Sequence, residues 1–286
     1  MIHQNHFIHH EDKQALSFLK GIPFASKTIK QIMKYYYERM TYGHNMGNKV
    51  RLSATQVPHI YNLLLPICNQ LGIPEPEFYL ENNPIPNAYA MGEDRPNITL
   101  HSGIIELLTT EELKAVIAHE CGHIYFHHML YTTMANFVLN HLDMAKEIRE
   151  AYVIALLYWN RKSELSCDRI AAYVSTPETT ISMLSRLAGG PHTVAYDFNI
   201  DEYVKQAEIY DSIREDNLWD KTLQALLTMD RDHPFVSVRV RELLKWTNTN
   251  YYINLKAGIP VCPHCHAVLD GEESYCGHCG KPLNIE

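Results

Sequence analysis

The 286-residue sequence lacks a run of apolar residues long enough to span a bilayer. Its longest apolar run, residues 151–159, is about half of the roughly 18 residues that a transmembrane helix needs. The first residues also lack the basic segment and the apolar segment that together make a secretory signal. We therefore expect no membrane-spanning segment, no export by that route and a cytoplasmic location.

Positive charge is scarce as well. The chain carries 25 Lys and Arg against 33 Asp and Glu, which gives a formal net charge of -8. A protein of this charge repels a phosphate backbone on average, so we expect no nucleic-acid partner. The hydrophobic content of 46% is sufficient for a full core, and the length suits one large domain with a small accessory unit.

Cysteine is sparse and odd in number, which argues against a framework of disulfides in a secreted protein. Four of the seven cysteines form two Cys-x-x-C pairs near the C-terminus. Four thiolates at this spacing are typical of a closed, tetrahedral structural zinc site, whereas a redox pair, the alternative, would be expected within a β-α-β pattern. The sequence therefore predicts a zinc ribbon over residues 256–286, which we expect to contact a protein partner. Its predicted zinc ligands are Cys262, Cys265, Cys276 and Cys279.

The pattern along the rest of the chain predicts an α+β fold that is predominantly helical and contains a small sheet. An N-terminal helical subregion over residues 1–50 ends in a Gly/Asn-containing stretch at 42–48, and a larger domain follows over 51–255. Short strands are predicted at 77–80, 88–91 and 97–100. Helices are predicted at 29–40, 56–71, from about 109 onward, and at 144–174, 202–229 and 236–246.

The segment from His119 to His123 carries the strongest local signal. Helical spacing of four residues puts the two imidazoles on one face, where they can bind one Zn²⁺. Glu120 lies beside them and can take a proton from a water molecule, which then attacks a carbonyl carbon. In a chain with 17 histidines this pattern also arises by chance, so the helical context has to support it. The predicted reaction is peptide hydrolysis.

A catalytic zinc usually has three protein ligands, so a third is needed. Glu164 is the candidate, because it lies on a second helical segment, and Asp168 one turn later can accept a hydrogen bond from a ligating histidine. The alternative is a solvated carboxylate pair. His127 lies one turn further along the first helix, where we expect it to pack or face solvent.

These residues resemble the HtpX and CAAX-prenyl-protease type of zinc metallopeptidases, which is metallopeptidase family forty-eight of the gluzincin group. The resemblance extends over roughly residues 55–245. It depends on the order of four features more than on any one of them. They are Asn87-Ala88-Tyr89-Ala90, the His119-Glu120-Cys121-Gly122-His123 core, the spacing from Glu164 to Asp168, and His233-Pro234 followed by Arg239.

The resemblance implies a zincin-like (gluzincin) fold in which His119, His123 and Glu164 bind a catalytic zinc and Glu120 is the general base and acid. It implies that His233 donates to the oxyanion and that Arg239 supports the ligands. Taken alone, His233 followed by proline is also an ordinary helix start. An edge strand that pairs with an extended substrate is implied at Asn87, Ala88, Tyr89 and Ala90.

Two functions remain open at this point. The first is a zinc metalloendopeptidase with one catalytic and one structural zinc, which hydrolyses peptide bonds in extended or unfolded polypeptides. The second is a non-catalytic, zinc-stabilised scaffold that recruits protein partners through its ribbon. Glu120 favours the enzyme, because a scaffold does not need an activating carboxylate beside its metal ligands.

Overall fold

Helices surround a small four-stranded sheet, which confirms the predicted α+β fold with its helical majority. The structure is a computed structural model that describes residues 3–20, 27–129, 146–191, 193, 198–216, 235–271 and 273–283. Within this part of the chain, no helix combines the length and the apolar character needed to cross a membrane.

The sheet has the strand order β1-β2-β4-β3. Strands β2 and β4 are parallel, with Phe78 opposite Ile98, and β1 and β3 are antiparallel to their neighbours. Because β4 is central and lies against the helices, all five of its residues are buried. Strand β3 lies at the edge and also packs against the central helix α5. The strands are β1 Val50–Arg51, β2 Glu77–Glu81, β3 Ala88–Met91 and β4 Asn97–His101.

The helices pack mainly around α5 and the long helix α6, which contact each other more extensively than any other pair among the described elements. A short 3-10 helix, Gln4–His6, precedes the first of them. The α-helices are α1 His10–Lys20, α2 Lys27–Asn48, α3 Pro58–Leu71, α4 Ser102–Leu107, α5 Thr110–Tyr125, α6 Lys146–Val174, α7 Pro177–Gly189, α8 Ile200–Asp216, α9 Val236–Thr247 and α10 Asn250–Lys256.

The first long helix is longer than the predicted 29–40, because α2 runs from Lys27 through Asn48 and includes the Gly/Asn-containing stretch. Tertiary contacts outweigh the glycines of this stretch. The Tyr42 ring lies under the Arg95 guanidinium at 3.5 Å, and the Asn45 side-chain amide donates to Asn97 Oδ1 at 3.2 Å in a buried position. These contacts hold the last turns of α2 against the sheet.

Helix α1 packs along α6, which also contacts α5. The proposed boundaries near residues 50 and 255 stay predictions. The predicted helix at 202–229 is described only as far as Asp216, and its remainder lies outside the described residues.

Candidate active site

Helix α5 begins at a capping box, which fixes the first residue of the helix and thereby the face on which His119 and His123 lie. The Thr109 hydroxyl accepts from the Glu112 backbone N–H at 3.3 Å, and the Glu112 carboxylate accepts from the Thr109 N–H at 2.8 Å. Both contacts satisfy donors that a helix start leaves open. From this start, His119 and His123 lie one turn apart on one face, with their ring centroids 5.1 Å apart, and Glu120 is buried directly after His119.

Gly122 allows the second helix to approach this face. A Cβ atom added to Gly122 would lie 3.2 Å from the Cα atom of Cys167 on α6 and 3.3 Å from its Sγ atom. Separations this short are tighter than ordinary packing, so a larger residue would push the two helices apart. Because Gly122 has no side chain, α6, and with it Glu164, can lie against the two histidines.

Three donor groups converge where the helices cross. The Nε2 atom of His119 lies 3.2 Å from Oε2 of Glu164, and the Nε2 atom of His123 lies 3.2 Å from Oε1 of the same carboxylate. Ligand atoms bound at about 2.0–2.1 Å to one tetrahedral zinc lie roughly 3.3 Å apart, so this spacing fits such an ion. Two imidazoles and a carboxylate are also the ligand types that a catalytic zinc takes.

The thiol of Cys167 belongs to the same cluster, since one ligand atom each of His119, His123 and Cys167 lie within 4.8 Å of one another. Burial raises the pKa of this thiol well above its ordinary value, and the nearby Glu164 charge raises it further. Its Sγ atom also lies 3.7 Å from Nδ1 of His128. Glu164, which reaches both Nε2 atoms, suits the position of third ligand better.

Asp168 orients the first histidine, as its position one turn after Glu164 suggests. Its Oδ1 atom lies 3.0 Å from Nδ1 of His119, so that nitrogen carries the proton and Nε2 faces the site. Burial alone would lower the pKa of His119, but the Glu164 and Asp168 carboxylates outweigh it and raise the pKa to about 10. At this pKa the ring also carries a proton on Nε2, which a metal ion bound at that nitrogen has to displace.

The guanidinium of Arg239, on α9, contacts the carboxylates of Asp168 and Glu164. It donates from Nε to Oδ2 of Asp168 at 2.8 Å and from Nη2 to Oδ1 at 2.6 Å, and its Nη1 lies 3.2 Å from Oε2 of Glu164. Burial alone would raise the pKa of Asp168, but the guanidinium outweighs it and keeps the pKa below its ordinary value. Asp168 is thereby kept ionised in a buried position.

Replacing Arg239 by Met should lower the free energy of unfolding of the metal-free protein by about 3–5 kcal/mol, because it leaves buried carboxylates without their counter-charge. Urea denaturation of both proteins after zinc removal measures this change. The control is Lys245→Met on the same helix, whose exposed side chain predicts a change within about 0.5 kcal/mol. Equal stability of the Arg239 variant and the wild type would contradict the role given to the guanidinium.

The predicted substrate-binding segment lies at an accessible place in the sheet. Strand β3 begins at Ala88, and within the described part of the chain it has a neighbouring strand on one side only, β4. The Tyr89 hydroxyl accepts from Lys49 Nζ at 2.7 Å and donates to Glu81 Oε2 at 3.1 Å, and the Asn87 carbonyl accepts from the His101 N–H at 2.9 Å.

Of the other predicted residues, His233 lies outside the described residues. His127 turns away from the motif face into solvent, with φ of 58°, and its Nδ1 lies 2.8 Å from the Glu93 carboxylate.

Sequence reasoning missed two buried residues, His128 and Asp12, which lie behind His123. No local pattern marks this pair, because the two residues are far apart in the sequence.

The four C-terminal cysteines converge on one point. Their sulfur atoms all lie within 4.8 Å of one another, and the Cys262–Cys279 and Cys265–Cys276 pairs are 3.8 and 3.6 Å apart. Thiolates bound at about 2.3 Å to one tetrahedral zinc lie roughly 3.8 Å apart, so the four residues fit such an ion. The turns that contain the two cysteine pairs have the same hydrogen bond. The backbone N–H groups of His266 and Gly280, both with positive φ, donate to the carbonyls of Cys262 and Cys276.

A mostly helical α+β domain whose His-Glu-x-x-His helix faces a glutamate on a second helix has the architecture of a zincin-like metallopeptidase. The comparisons agree with this class. Residues 54–247, more than half of the chain, match Peptidase family M48. The chain belongs to this family, and it is a metalloprotease, a hydrolase that cleaves peptide bonds with the help of zinc. The predicted family and enzyme class are confirmed.

Similar proteins include the plastoglobule-localized metallopeptidase 48, chloroplastic, of Arabidopsis thaliana. It is 33% identical over 257 residues, which are 87% of this chain and 74% of the relative. A protease HtpX homolog of Persephonella marina is 33% identical over 95 residues, 32% of this chain and 33% of the relative. Another, of Tropheryma whipplei, is 28% identical over 149 residues, 50% of each chain. The chain thus matches half or less of these two HtpX relatives.

Proposed function

We propose that the chain is a zinc endopeptidase that cleaves extended or unfolded polypeptides, with His119, His123 and Glu164 as ligands of the catalytic zinc. The observation that carries this proposal is the approach of both histidine Nε2 atoms to the two oxygens of one glutamate, at 3.2 Å each. The donor set, its spacing and its burial all suit a three-ligand catalytic site.

Zinc at these ligands supplies the Lewis acid that lowers the pKa of water and polarises a carbonyl group. Glu120 follows a ligand on the same helix and takes the proton from the attacking water, then returns it to the leaving amine. Asp168 and Arg239 keep the ligands in the orientation that binding requires. His233 is proposed as a donor to the oxyanion of the tetrahedral intermediate.

The proposed substrate class depends on strand β3. An edge strand presents backbone N–H and C=O groups to which an extended segment can add as a further strand, and Asn87, Ala88, Tyr89 and Ala90 are its proposed binding residues. Since β3 packs against α5, a segment bound there lies close to the motif helix. A folded substrate cannot supply such a segment without local unfolding.

A second, structural zinc is proposed at the four C-terminal cysteines, which gives two zinc ions per chain. The ribbon is proposed to contact a protein partner, because Val268 and Tyr275 on it are 60% and 65% exposed. None of the seven cysteines, all of which lie in the described part of the chain, forms a disulfide, which suits a reducing compartment, and we propose the cytoplasm.

The test compares one polypeptide in two states: native lysozyme, and lysozyme that has been reduced and alkylated. We expect about two zinc ions per chain, and cleavage of the unfolded form alone. Treatment with 1,10-phenanthroline should abolish cleavage, and added zinc should restore it. Equal cleavage of both forms would contradict the proposed substrate class, whereas two zinc ions without any cleavage would favour the scaffold hypothesis.

A further inference from the structure

A chain of contacts through two buried side chains, His128 and Asp12, connects the second motif histidine to the N-terminal helix α1. The Nδ1 atom of His123 lies 3.2 Å from Nδ1 of His128, and Nε2 of His128 lies 3.4 Å from Oδ2 of Asp12. His128 is 2% exposed and Asp12 is 0% exposed. His128 therefore approaches Nδ1 of His123, whereas Glu164 approaches its Nε2 atom.

Which ring nitrogen of His128 and of His123 carries a proton follows from what each group along this chain can donate or accept. An ionised Asp12 only accepts, so the Nε2 atom of His128 carries a proton and its Nδ1 atom offers a lone pair. That lone pair accepts from the Nδ1–H group of His123, which leaves the Nε2 lone pair of His123 facing Glu164. This tautomer of His123 is the one that binds a metal ion.

The Asp12 carboxylate is itself firmly held. It accepts from Trp159 Nε1 at 3.0 Å and from the Ser166 hydroxyl at 2.6 Å, and both donors lie on α6. The Ser166 oxygen also accepts from the backbone N–H of His9 at 2.9 Å, which ties the start of α1 to the same place. Burial alone would raise the pKa of Asp12, but His128, Ser166 and Trp159 outweigh it and keep the pKa below its ordinary value.

Each motif histidine is therefore linked to a carboxylate through its Nδ1 atom. The link is direct for His119 and passes through a second imidazole for His123. Asp168 contacts His119 directly and comes from the same helix as Glu164. Asp12 acts on His123 through His128 and comes from α1, which precedes the family-matched residues 54–247. The N-terminal helix thus contributes to a site whose other parts belong to the family core.

We propose that Asp12 is a positioning residue that fixes, through His128, the tautomer and orientation of His123, so that α1 is part of the metal centre. This proposal rests on the proposed function of His123 as a zinc ligand. A structural role of Asp12, which would only anchor α1 to α6, is the competing explanation. The two differ in whether Asp12 affects metal affinity apart from stability.

The experiment measures the zinc dissociation constant of the catalytic site in the full-length chain, by competition with a chromophoric chelator at pH 7. Asp12→Asn and His128→Phe should each weaken zinc binding by about 10- to 100-fold, the effect typical of losing a partner of a ligating histidine. The double variant should be little worse than either single variant, because both changes interrupt the same chain. Zinc at the four cysteines should be retained in all three.

A second readout is the visible absorption spectrum of the Co²⁺-substituted protein, which reports ligand geometry directly. We expect both variants to alter it. The matched control is Leu19→Ala, which removes a buried apolar contact of α1 outside the chain of contacts. This control should lower the Tm while leaving the spectrum and the zinc affinity unchanged.

Wild-type zinc affinity and an unaltered Co²⁺ spectrum in both Asp12→Asn and His128→Phe would overturn the proposal, as would an equal loss of affinity in Leu19→Ala. Should Asp12→Asn fail to fold, the result for His128→Phe decides. Failure of the underlying function looks different, because the wild-type chain would then bind zinc at the four cysteines alone.

Discussion

Replacing Glu120 by Gln should reduce the hydrolysis of unfolded protein by about 10²- to 10⁴-fold, the contribution typical of a general base. The amide keeps the size of the side chain but cannot take the proton from the attacking water. Because Glu120 is not among the proposed ligands, zinc content should stay at the wild-type level. Initial rates on reduced, alkylated lysozyme and metal analysis of the same samples measure both quantities.

The control for this variant is Glu111→Gln, the same chemical change at an exposed position of the same helix. It should retain wild-type activity. If Glu120→Gln cleaved at the wild-type rate, another group would have to be the base. If it lost both activity and zinc, the carboxylate would be required for metal binding, and its proposed role would be wrong.

Replacing Glu164 by Ala should release the catalytic zinc, so that metal content falls from about two ions to about one per chain. Two imidazoles alone hold zinc poorly, and the methyl group cannot bridge the gap that the carboxylate spans between His119 and His123. The zinc at the four cysteines should remain, because those ligands belong to a separate cluster. Proteolysis should disappear with the catalytic ion.

Metal analysis after gel filtration measures this loss, and Glu208→Ala is the control, since Glu208 is exposed on α8. Glu164→Gln adds a finer comparison, because the amide oxygen can still approach the metal while the negative charge is gone. Full retention of both ions in Glu164→Ala would contradict the ligand assignment and direct attention to Cys167, which lies in the same cluster.

The parts of the molecule that depend on neighbours in the sequence were predictable. The start of α5 at Thr109 follows from a capping box, and the common face of His119 and His123 follows from the pitch of a helix. The β3 strand also lies where a short segment between Pro/Asn/Gly turn signals placed it. In each case the deciding interaction spans only a few residues.

The end of α2 was not predictable in this way. Gly43 and Gly47 normally weaken a helix, and the composition of 42–48 favours a turn. The helix continues because its last turns find partners on the sheet: Arg95 covers Tyr42, and Asn97 accepts from Asn45. Those partners come from distant parts of the chain, so helix propensity alone gave the wrong answer.

The donor groups of the candidate sites could be predicted from local sequence: the imidazole pair, the neighbouring Glu120, and two cysteine pairs with metal-ligand spacing. Local geometry is sufficient for these, because helical pitch and short knuckles bring the donors together. Two contacts could be found only in the folded molecule: the approach of α6 to α5 at Gly122, and the approach of Asp12 on α1 to His128. Such contacts depend on which surfaces pack together in three dimensions, and no periodicity within one segment encodes them.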